Sequence, residues 1–417
     1  MNDARALVTD GYYVIIVDVV PEVMPGQRIE HVDGILFYHI VSPGWFRPTV
    51  WKPWFIAKLL CIVLRSIPVL LLARADIYHA HVEHAFFATL LAARFWRHRL
   101  IFDTPELTLY SPPFSERPFL REQALRFIRW MVMYSDLHIT GSPAYVPVLR
   151  SLYGDNNYRV IRHIPPRPFV EETDRMHLHE RLELAPGIRI ALYQGYLLPD
   201  RGLETLVRSA SYLPPDCVIV LLGQSFGTMA EDLQELIVSL HVEDRVKILP
   251  PVPYDLLLEW IATADIGLLL LPPDYSLSIR KCLPNKFFEY LAAGLPILCS
   301  ELEVVASLVR EHEIGAVVTD LVPEQIAQAI QCLLQDREFW RQAHAKVLQL
   351  VDTQGLYWEL EKWHLLGCYC ELMWQRHSSL PAQRRRWRGL LPASKLFAES
   401  SMSAAAEKTL PSLPGGD

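Results

Sequence analysis

Cysteine is scarce in this chain. There are seven in 417 residues, no Cys-x-x-Cys pair occurs, and only Cys368 and Cys370 stand close together. That spacing excludes a disulfide scaffold and leaves reduced, cytosolic thiols as the expectation. Basic charge is not in excess either: 40 Lys and Arg face 47 Asp and Glu, for a net charge of −7. A protein whose whole surface binds nucleic acid is thereby excluded, and no nucleic-acid partner is expected. The opening Met1-Asn2-Asp3-Ala4-Arg5 has no apolar core behind a basic stretch, so it does not read as a secretory signal. No P-loop occurs. One long apolar run is present, Trp54 to Ala73, but Lys58 and Arg65 interrupt it. An arginine near a bilayer centre costs roughly 2.5–3.5 kcal/mol, and Pro68 is expected to break the helix. The run therefore reads as a buried or membrane-surface helix rather than a span.

What is present is a repeated pattern of short apolar strand, polar turn and amphipathic helix. In the first half, strands are expected at Val14–Val20, Ile35–Ile40, Ile77–Ala80, Leu100–Phe102, Leu137–Thr140 and Arg159–Ile164. Helices are expected between them at about 54–67, 84–96, 118–134 and 143–153. Continuous apolar strands alternating with helices predict a parallel, doubly wound sheet. Residues 166–187, proline-rich and then polar, read as a linker. The pattern restarts with strands at Ile188–Tyr193, Cys217–Leu222, Val246–Leu249, Ile266–Leu271, Pro296–Ser300 and Ala316–Val318. Helices follow at about 203–212, 228–240, 254–263, 284–293, 301–311 and 323–350. The expected fold is α/β, with two doubly wound Rossmann-like domains facing a cleft, at 1–165 and 188–354. A closing helix is expected at 355–378 and a basic, disordered tail at 379–417. Residues 376–395 hold six basic residues and no acidic one, which suits either solvent or an anionic membrane surface.

In open α/β sheets ligands bind beyond the carboxyl ends of the strands. Two segments there carry chemistry. In Leu283-Pro284-Asn285-Lys286-Phe287-Phe288-Glu289-Tyr290-Leu291, Pro284 suits the first helical position and Gly294 the position past the end. Phe287, Tyr290 and Leu291 make the buried stripe. Lys286 and Glu289 lie one turn apart at the N-terminal end, where an anion is attracted. Glu289 can accept two hydrogen bonds, as from a ribose diol; a surface ion pair is the plain alternative. In Tyr193-Gln194-Gly195-Tyr196-Leu197-Leu198-Pro199-Asp200-Arg201-Gly202, Gly195 permits a tight turn and Arg201 stands at a helix entrance, where a guanidinium could clamp a diphosphate; a loop arginine in solvent is the plain alternative. Leu221-Leu222-Gly223-Gln224 is a third, weaker strand end. His79, His81 and His84 do not make a metal set, since His84 falls on the following helix and no carboxylate is paired with them in sequence, so no metal is expected. His177 and His179 are expected in solvent. Trp45, Trp51 and Trp54 read as core or as a membrane-facing lip.

These pieces, in this order, resemble the retaining GT-B glycosyltransferases of family 4. Asp76-Ile77-Tyr78-His79-Ala80-His81 resembles the family's Asp-x-x-His-x-His strand, and Leu100–Leu107 its strand ending in Asp-x-His-Glu-Leu. Trp358, Glu361 and Tyr369 resemble its closing helix. The resemblance implies transfer of a sugar from a UDP- or GDP-sugar to a glycan or lipid-linked acceptor, without metal or other cofactor. It implies Arg201 on the diphosphate, where losing one preorganised donor costs about 2.7–4 kcal/mol of barrier. Glu289 would take the ribose, and Lys286 with Gly195, Pro284 and Asn285 would lie near the phosphates or donor sugar. Asp103, Glu106 and His81 would lie on the acceptor side. The chain departs from the family at Lys281, where a Glu is usual, at Tyr196, where a cation is usual, and at Pro105, where a His is usual. The family's first strand and Gly-rich loop are missing ahead of the helix expected at Asp3–Asp10, so a start read too late is expected, or a degenerate first domain. The departures keep open a catalytically weak or inactive GT-B partner subunit, and a nucleotide-sugar epimerase on the same fold stands as a third reading.

Overall fold

Alternating residues of one strand face opposite sides of a sheet, and in the second half of the chain both sides are apolar. Ile190, Leu192, Val218 and Val220 enter one buried cluster, while Ala191, Tyr193, Ile219 and Leu221 enter another. A strand apolar on both faces must be covered by helices on both, which is what the computed structural model shows. It describes residues 2–20, 28–42, 53–110, 114, 117–167, 177–185, 187–199 and 201–378.

The elements of the first half are α1 (Asn2–Thr9), β1 (Val14–Val20), β2 (Ile29–Val32), β3 (Ile35–Val41), α2 (Pro53–Ala73), β4 (Ile77–His81), α3 (Val82–Trp96), β5 (Arg99–Asp103), α4 (Pro118–Val132), β6 (Leu137–Thr140), α5 (Tyr145–Tyr153) and β7 (Tyr158–Val160). The second half has α6 (His177–Arg181), β8 (Arg189–Gln194), α7 (Leu203–Ser209), β9 (Cys217–Leu222), α8 (Met229–Ser239), β10 (Val246–Leu249), α9 (Tyr254–Ile261), β11 (Ile266–Leu269), α10 (Leu277–Lys281), α11 (Asn285–Ala292), β12 (Ile297–Ser300), α12 (Glu303–His312), β13 (Gly315–Val318), α13 (Pro323–Gln335), α14 (Arg337–Gln354) and α15 (Trp358–Ser378). By their contacts residues Met1–Leu372 form one compact unit and Met373–Asp417 another.

Strands β8 to β13 form one sheet in the order β10-β9-β8-β11-β12-β13, and every pairing is parallel. The order reverses at β8, so the crevice for a ligand opens beyond the ends of β8 and β11. The first half departs from the expected single sheet. It has a three-stranded sheet β1-β3-β2 and a separate four-stranded parallel sheet β4-β5-β6-β7. Strand β2, unanticipated in the sequence, pairs antiparallel to β3 through a tight turn at Asp33 and Gly34. Ile15, Val17 and Val19 of β1 and Ile77, His79 and His81 of β4 line a common groove of about 480 Å³.

Other differences have local causes. Helix α2 runs through Pro68 to Ala73. The lost hydrogen bond is outweighed by tertiary anchoring, since Tyr78 Oη and Trp96 Nε1 donate to the carbonyls of Leu70 and Leu71 at 3.0 and 2.9 Å. Arg65 caps the end of β3 by donating to the Val41 carbonyl at 2.9 Å. No described helix is long and apolar enough to cross a membrane. The helix expected at 323–350 is two, because the Asp336 carboxylate accepts from the N–H groups of Glu338 and Phe339 and starts α14. Part of the expected linker is packed structure: Leu178 of α6 is fully buried in the core of the second half, and His179 Nε2 bonds the Ile188 carbonyl at 2.9 Å rather than facing solvent. Trp45 and Trp51 and the tail at 379–417 lie outside the described residues, as does the side chain of Trp54.

Helix α15 lays Leu365, Leu366 and Tyr369 against Ile101, Leu137 and Ile139 of the first half. Its Glu361 carboxylate is 2% exposed and accepts from both the Arg162 N–H and its guanidinium at 2.7 Å. Removing one partner of a buried pair leaves the other uncompensated. Because the Arg162 side chain is 26% exposed, Glu361→Ala is expected near the low end of that penalty, about 3 kcal/mol, measured by urea denaturation against the wild-type chain.

Candidate active site

The site is built on backbone that touches backbone. Gly195, just past β8, has φ +130°, and a Cβ there would meet Lys286 Nζ at 3.2 Å. At Gly223, past β9, a Cβ would stand 1.8 Å from the Gly195 carbonyl oxygen, so only glycine lets these two strand ends approach. Tyr290 fixes the helix that faces them. Its hydroxyl accepts from the Gln194 N–H at 2.9 Å and lies 3.1 and 3.2 Å from the carbonyls of Leu192 and Leu268, between which its one proton is shared. Gly267 leaves the room its ring occupies.

The cleft so formed has a volume of about 680 Å³. It brings together Gly195, Arg201, Pro284, Asn285, Lys286 and Glu289 from the second half and Glu106 from the first. Pro284 is the N-cap of α11 rather than its first helical residue, in extended conformation (ψ 151°), and no side chain caps that end. The positive end of the helix is thus left to a ligand. Lys286 Nζ lies 3.8 Å from the centre of the Tyr193 ring. Burial and the neighbouring Arg201 guanidinium push its amine down to about 7, against the pull of Glu289. Burial likewise pushes the Glu289 carboxyl up to about 7, against the opposing pull of Lys286. Gln194 Oε1, buried at the cleft wall, has no hydrogen-bond partner.

The first half is fastened here through α10, a helix with no sequence signal. The Leu107 N–H donates to Ser278 Oγ at 3.0 Å, Tyr145 Oη donates to the Ser278 carbonyl at 2.8 Å, and Ser142 Oγ donates to the Lys281 carbonyl at 3.0 Å. Lys281 turns its ammonium to Glu303 and is absent from the cleft lining. Tyr196 and Pro105 do line the cleft, Tyr196 with its ring edge-on to Phe226 at 5.2 Å.

Asp103 and His81 do not join this cleft. His81 lines the other groove, and the Asp103 carboxylate, 4% exposed, accepts from His81 Nδ1 at 2.8 Å. Register puts His81 opposite Asp103, which supplies the carboxylate that the histidine pattern lacked. The ligand atoms of His79, His81 and Asp103 fall within 4.8 Å of one another. Burial alone would raise the Asp103 carboxyl, but the His81 hydrogen bond and the neighbouring His79 ring, whose Nε2 stands 3.7 Å away, outweigh it and hold it well below the usual range. His79 Nδ1 bonds Tyr369 Oη at 2.8 Å, while His84 lines the groove outside this triad.

Tyr254, Gln224, His163 and Gln194 line the cleft without having been singled out as binding residues. Tyr254, Gln224 and Gln194 follow or end a strand, so inspection of every strand end would have found them. The loop after β9 also spells Gly223-Gln224-Ser225-Phe226-Gly227, the pattern of a hydrolase nucleophile turn. Ser225 Oγ, however, accepts from the Ala230 N–H at 3.0 Å and closes the loop onto α8.

Two Rossmann-like halves around one cleft define the GT-B fold, and solved structures agree. Sucrose-phosphate synthase from Thermosynechococcus elongatus superposes with a TM-score of 0.68 at 19% identity, over 89% of this chain and 92% of that one. HepE of Anabaena in complex with UDP-glucose gives 0.67 at 16%, over 89% and 94%. Residues 174–347 match the model of the family described as glycosyl transferases group 1. A D-inositol 3-phosphate glycosyltransferase of Nocardia farcinica is 28% identical over 49% of this chain and 46% of its own. The alpha-D-kanosaminyltransferase of Streptomyces kanamyceticus is 27% identical over 40% and 42%. The chain thus spans less than half the length of these curated relatives.

Tyr290→Phe removes the hydroxyl that satisfies the Gln194 N–H and strands a buried donor. The expected cost is about 1–3 kcal/mol, read as a lower urea midpoint with an unchanged slope.

Proposed function

We propose that the chain moves a sugar from a nucleotide-sugar, UDP- or GDP-linked, to a hydroxyl of a glycan or lipid-linked acceptor, with retention at the anomeric carbon. The reading sets it in the synthesis of a surface polysaccharide or lipid-linked glycan, in the cytoplasm and peripheral at the inner face of the membrane. The observation that carries it is the convergence of Arg201, Lys286 and Glu289 on one cleft at the point where the strand order reverses. HepE, a structural neighbour, was solved with UDP-glucose, which favours uridine as the first base to test.

In this reading Arg201, Lys286 and the open end of α11 hold the diphosphate and take up charge as it leaves. That role asks for no metal. Glu289, anionic, accepts from the ribose hydroxyls. The bond from the anomeric carbon to the phosphate oxygen breaks as the acceptor oxygen bonds the same face, and the acceptor proton passes to the departing phosphate. Gly195 and Gly223 allow the backbone to approach the phosphates, and Glu106 stands on the acceptor side. A second reading, a weak or inactive partner subunit, is motivated by Lys281, which is engaged with Glu303, and by Tyr196 and Pro105 in the cleft wall.

A thermal-shift panel of UDP, GDP, ADP and their sugar conjugates decides between them. A ligand at about 100 times its dissociation constant adds about 2.7 kcal/mol to the native state. One nucleotide is expected to stabilise the wild type and to fail on Glu289→Ala. No shift with any nucleotide on folded protein would sink the donor-site reading and favour the partner subunit.

The same cleft predicts a bell-shaped pH profile for nucleotide affinity. Binding favours charged Lys286, so affinity falls as pH rises above about 7, where the free amine loses its proton. Binding also favours ionised Glu289, so affinity falls as pH drops below about 7. Titration calorimetry across this range is expected to show maximal affinity near neutrality. The alkaline limb should vanish in Lys286→Ala, and a flat profile would refute the assignment.

A further inference from the structure

Helices α3 and α4 turn an unusual face to solvent. Helix α4 buries Ile128, Met131 and Val132, yet Phe119 is 77% exposed, and Phe127, Trp130, Met133 and Tyr134 are exposed beside it. Helix α3 buries Phe86 and Leu90 and exposes Leu91 and Phe95. The rings form one continuous band: Phe87 to Phe127 at 5.5 Å, Phe127 to Trp130 at 5.9 Å and Trp130 to Tyr134 at 5.6 Å. The band crosses to α3 where the Arg94 guanidinium lies 5.2 Å over Tyr134. A contiguous aromatic patch on a water-facing surface marks an interaction site.

Its charge tells what would cover it. The chain is net negative, but Arg117–Tyr134 holds four arginines against one carboxylate, Glu122, which pairs Arg126, and Leu91–Arg99 holds three arginines and no carboxylate, with Arg99 paired to Asp136 beyond it. Arg94, Arg97 and Arg126 are exposed among the rings. Rings with apolar bodies interleaved with guanidinium groups match the headgroup layer of a bilayer, where aromatic side chains settle and basic ones meet lipid phosphates. We infer that α3 and α4 dock on an anionic lipid surface, rings in the interface and arginines on the phosphates. The face leads toward the cleft, because Arg121 of α4 lies 4.4 Å over Tyr110, and the segment ending there begins at Pro105 and Glu106 of the cleft wall. This deepens the functional reading by naming the surface on which a lipid-linked acceptor would be met, and its test does not require that reading.

The test is co-sedimentation of the full chain with vesicles of phosphatidylcholine, with and without phosphatidylglycerol, at low and at physiological salt. Binding is expected only with the anionic lipid, weakening as salt rises. Phe119→Ser with Trp130→Ser, and separately Arg94→Glu with Arg126→Glu, are each expected to lower partitioning by at least about ten-fold. Both pairs should keep the wild-type circular dichroism and melting temperature. A third variant, with Arg384, Arg385, Arg386 and Arg388 changed to Gln, is expected to retain most of the binding. No sedimentation with anionic vesicles would overturn the inference, as would equal binding to neutral ones, which points to a protein-type apolar contact. Loss of binding in the tail variant alone would overturn it too. Glu289→Ala should bind vesicles like the wild type, so a failed donor site and a failed membrane face are distinguishable.

Discussion

The hydroxyl of Tyr290 is the contact on which the rest of the site depends. It ties the buried helix α11 to the backbone of two central strands at once, through the Gln194 N–H and the carbonyls of Leu192 and Leu268. Those strand ends carry no spare ladder bond at that level, so the phenol stands in for one. Because the anchor lies within the helix that also carries Lys286 and Glu289, the two charges inherit the position of the sheet. The glycines follow from the same constraint. With the helix drawn in this close, Gly267 has to leave room for the ring, and Gly195 and Gly223 have to let two chain ends pass without a side chain between them.

Electrostatics then works against water rather than against other residues. Lys286 and Glu289 are neighbours on the helix, yet both are moved toward neutrality by burial before any pairing is counted. A surface ion pair of the same residues would show neither shift. The arrangement holds a cation and an anion at modest charge in one cleft, so that a ligand with charge of its own meets groups ready to respond to it. The triad on the other half behaves differently. There the His81 imidazole bonds the carboxylate with His79 beside it, and Asp103 is held ionised by those neighbours.

The second half was largely legible in the sequence because its signals are local. Strands apolar on both faces, Gly294 past the end of a helix, and Pro284 before one are all statements about neighbours in sequence. What escaped was set by distance. Helix α10 has no periodicity worth reading in five residues, and it exists where Ser276 caps it and the first half grips it. Pro68 was overruled by two hydrogen bonds from other elements to the turn beyond it. The strand β2 depends on pairing with β3, and the division of the first half into two sheets depends on which strands meet. Of the candidate residues, those on the helix and glycine loops converge as their spacing implies. Asp103 and His81 fall outside the cleft because they end β5 and β4 opposite one another and bond each other, whereas Glu106 lies in the chain beyond β5.

The docking of α10 makes the two halves a lever. Ser278 is bonded to Leu107 and Tyr145 of the first half, and six residues further on the same stretch of chain becomes Pro284 and the start of α11. No flexible hinge intervenes in those six residues, since Cys282 and Leu283 are themselves packed against the two cores. A rotation of the first half therefore pulls on the end of the helix that bears Lys286. Any displacement of Ser278 by the first half would reach Pro284 along six residues of covalent chain.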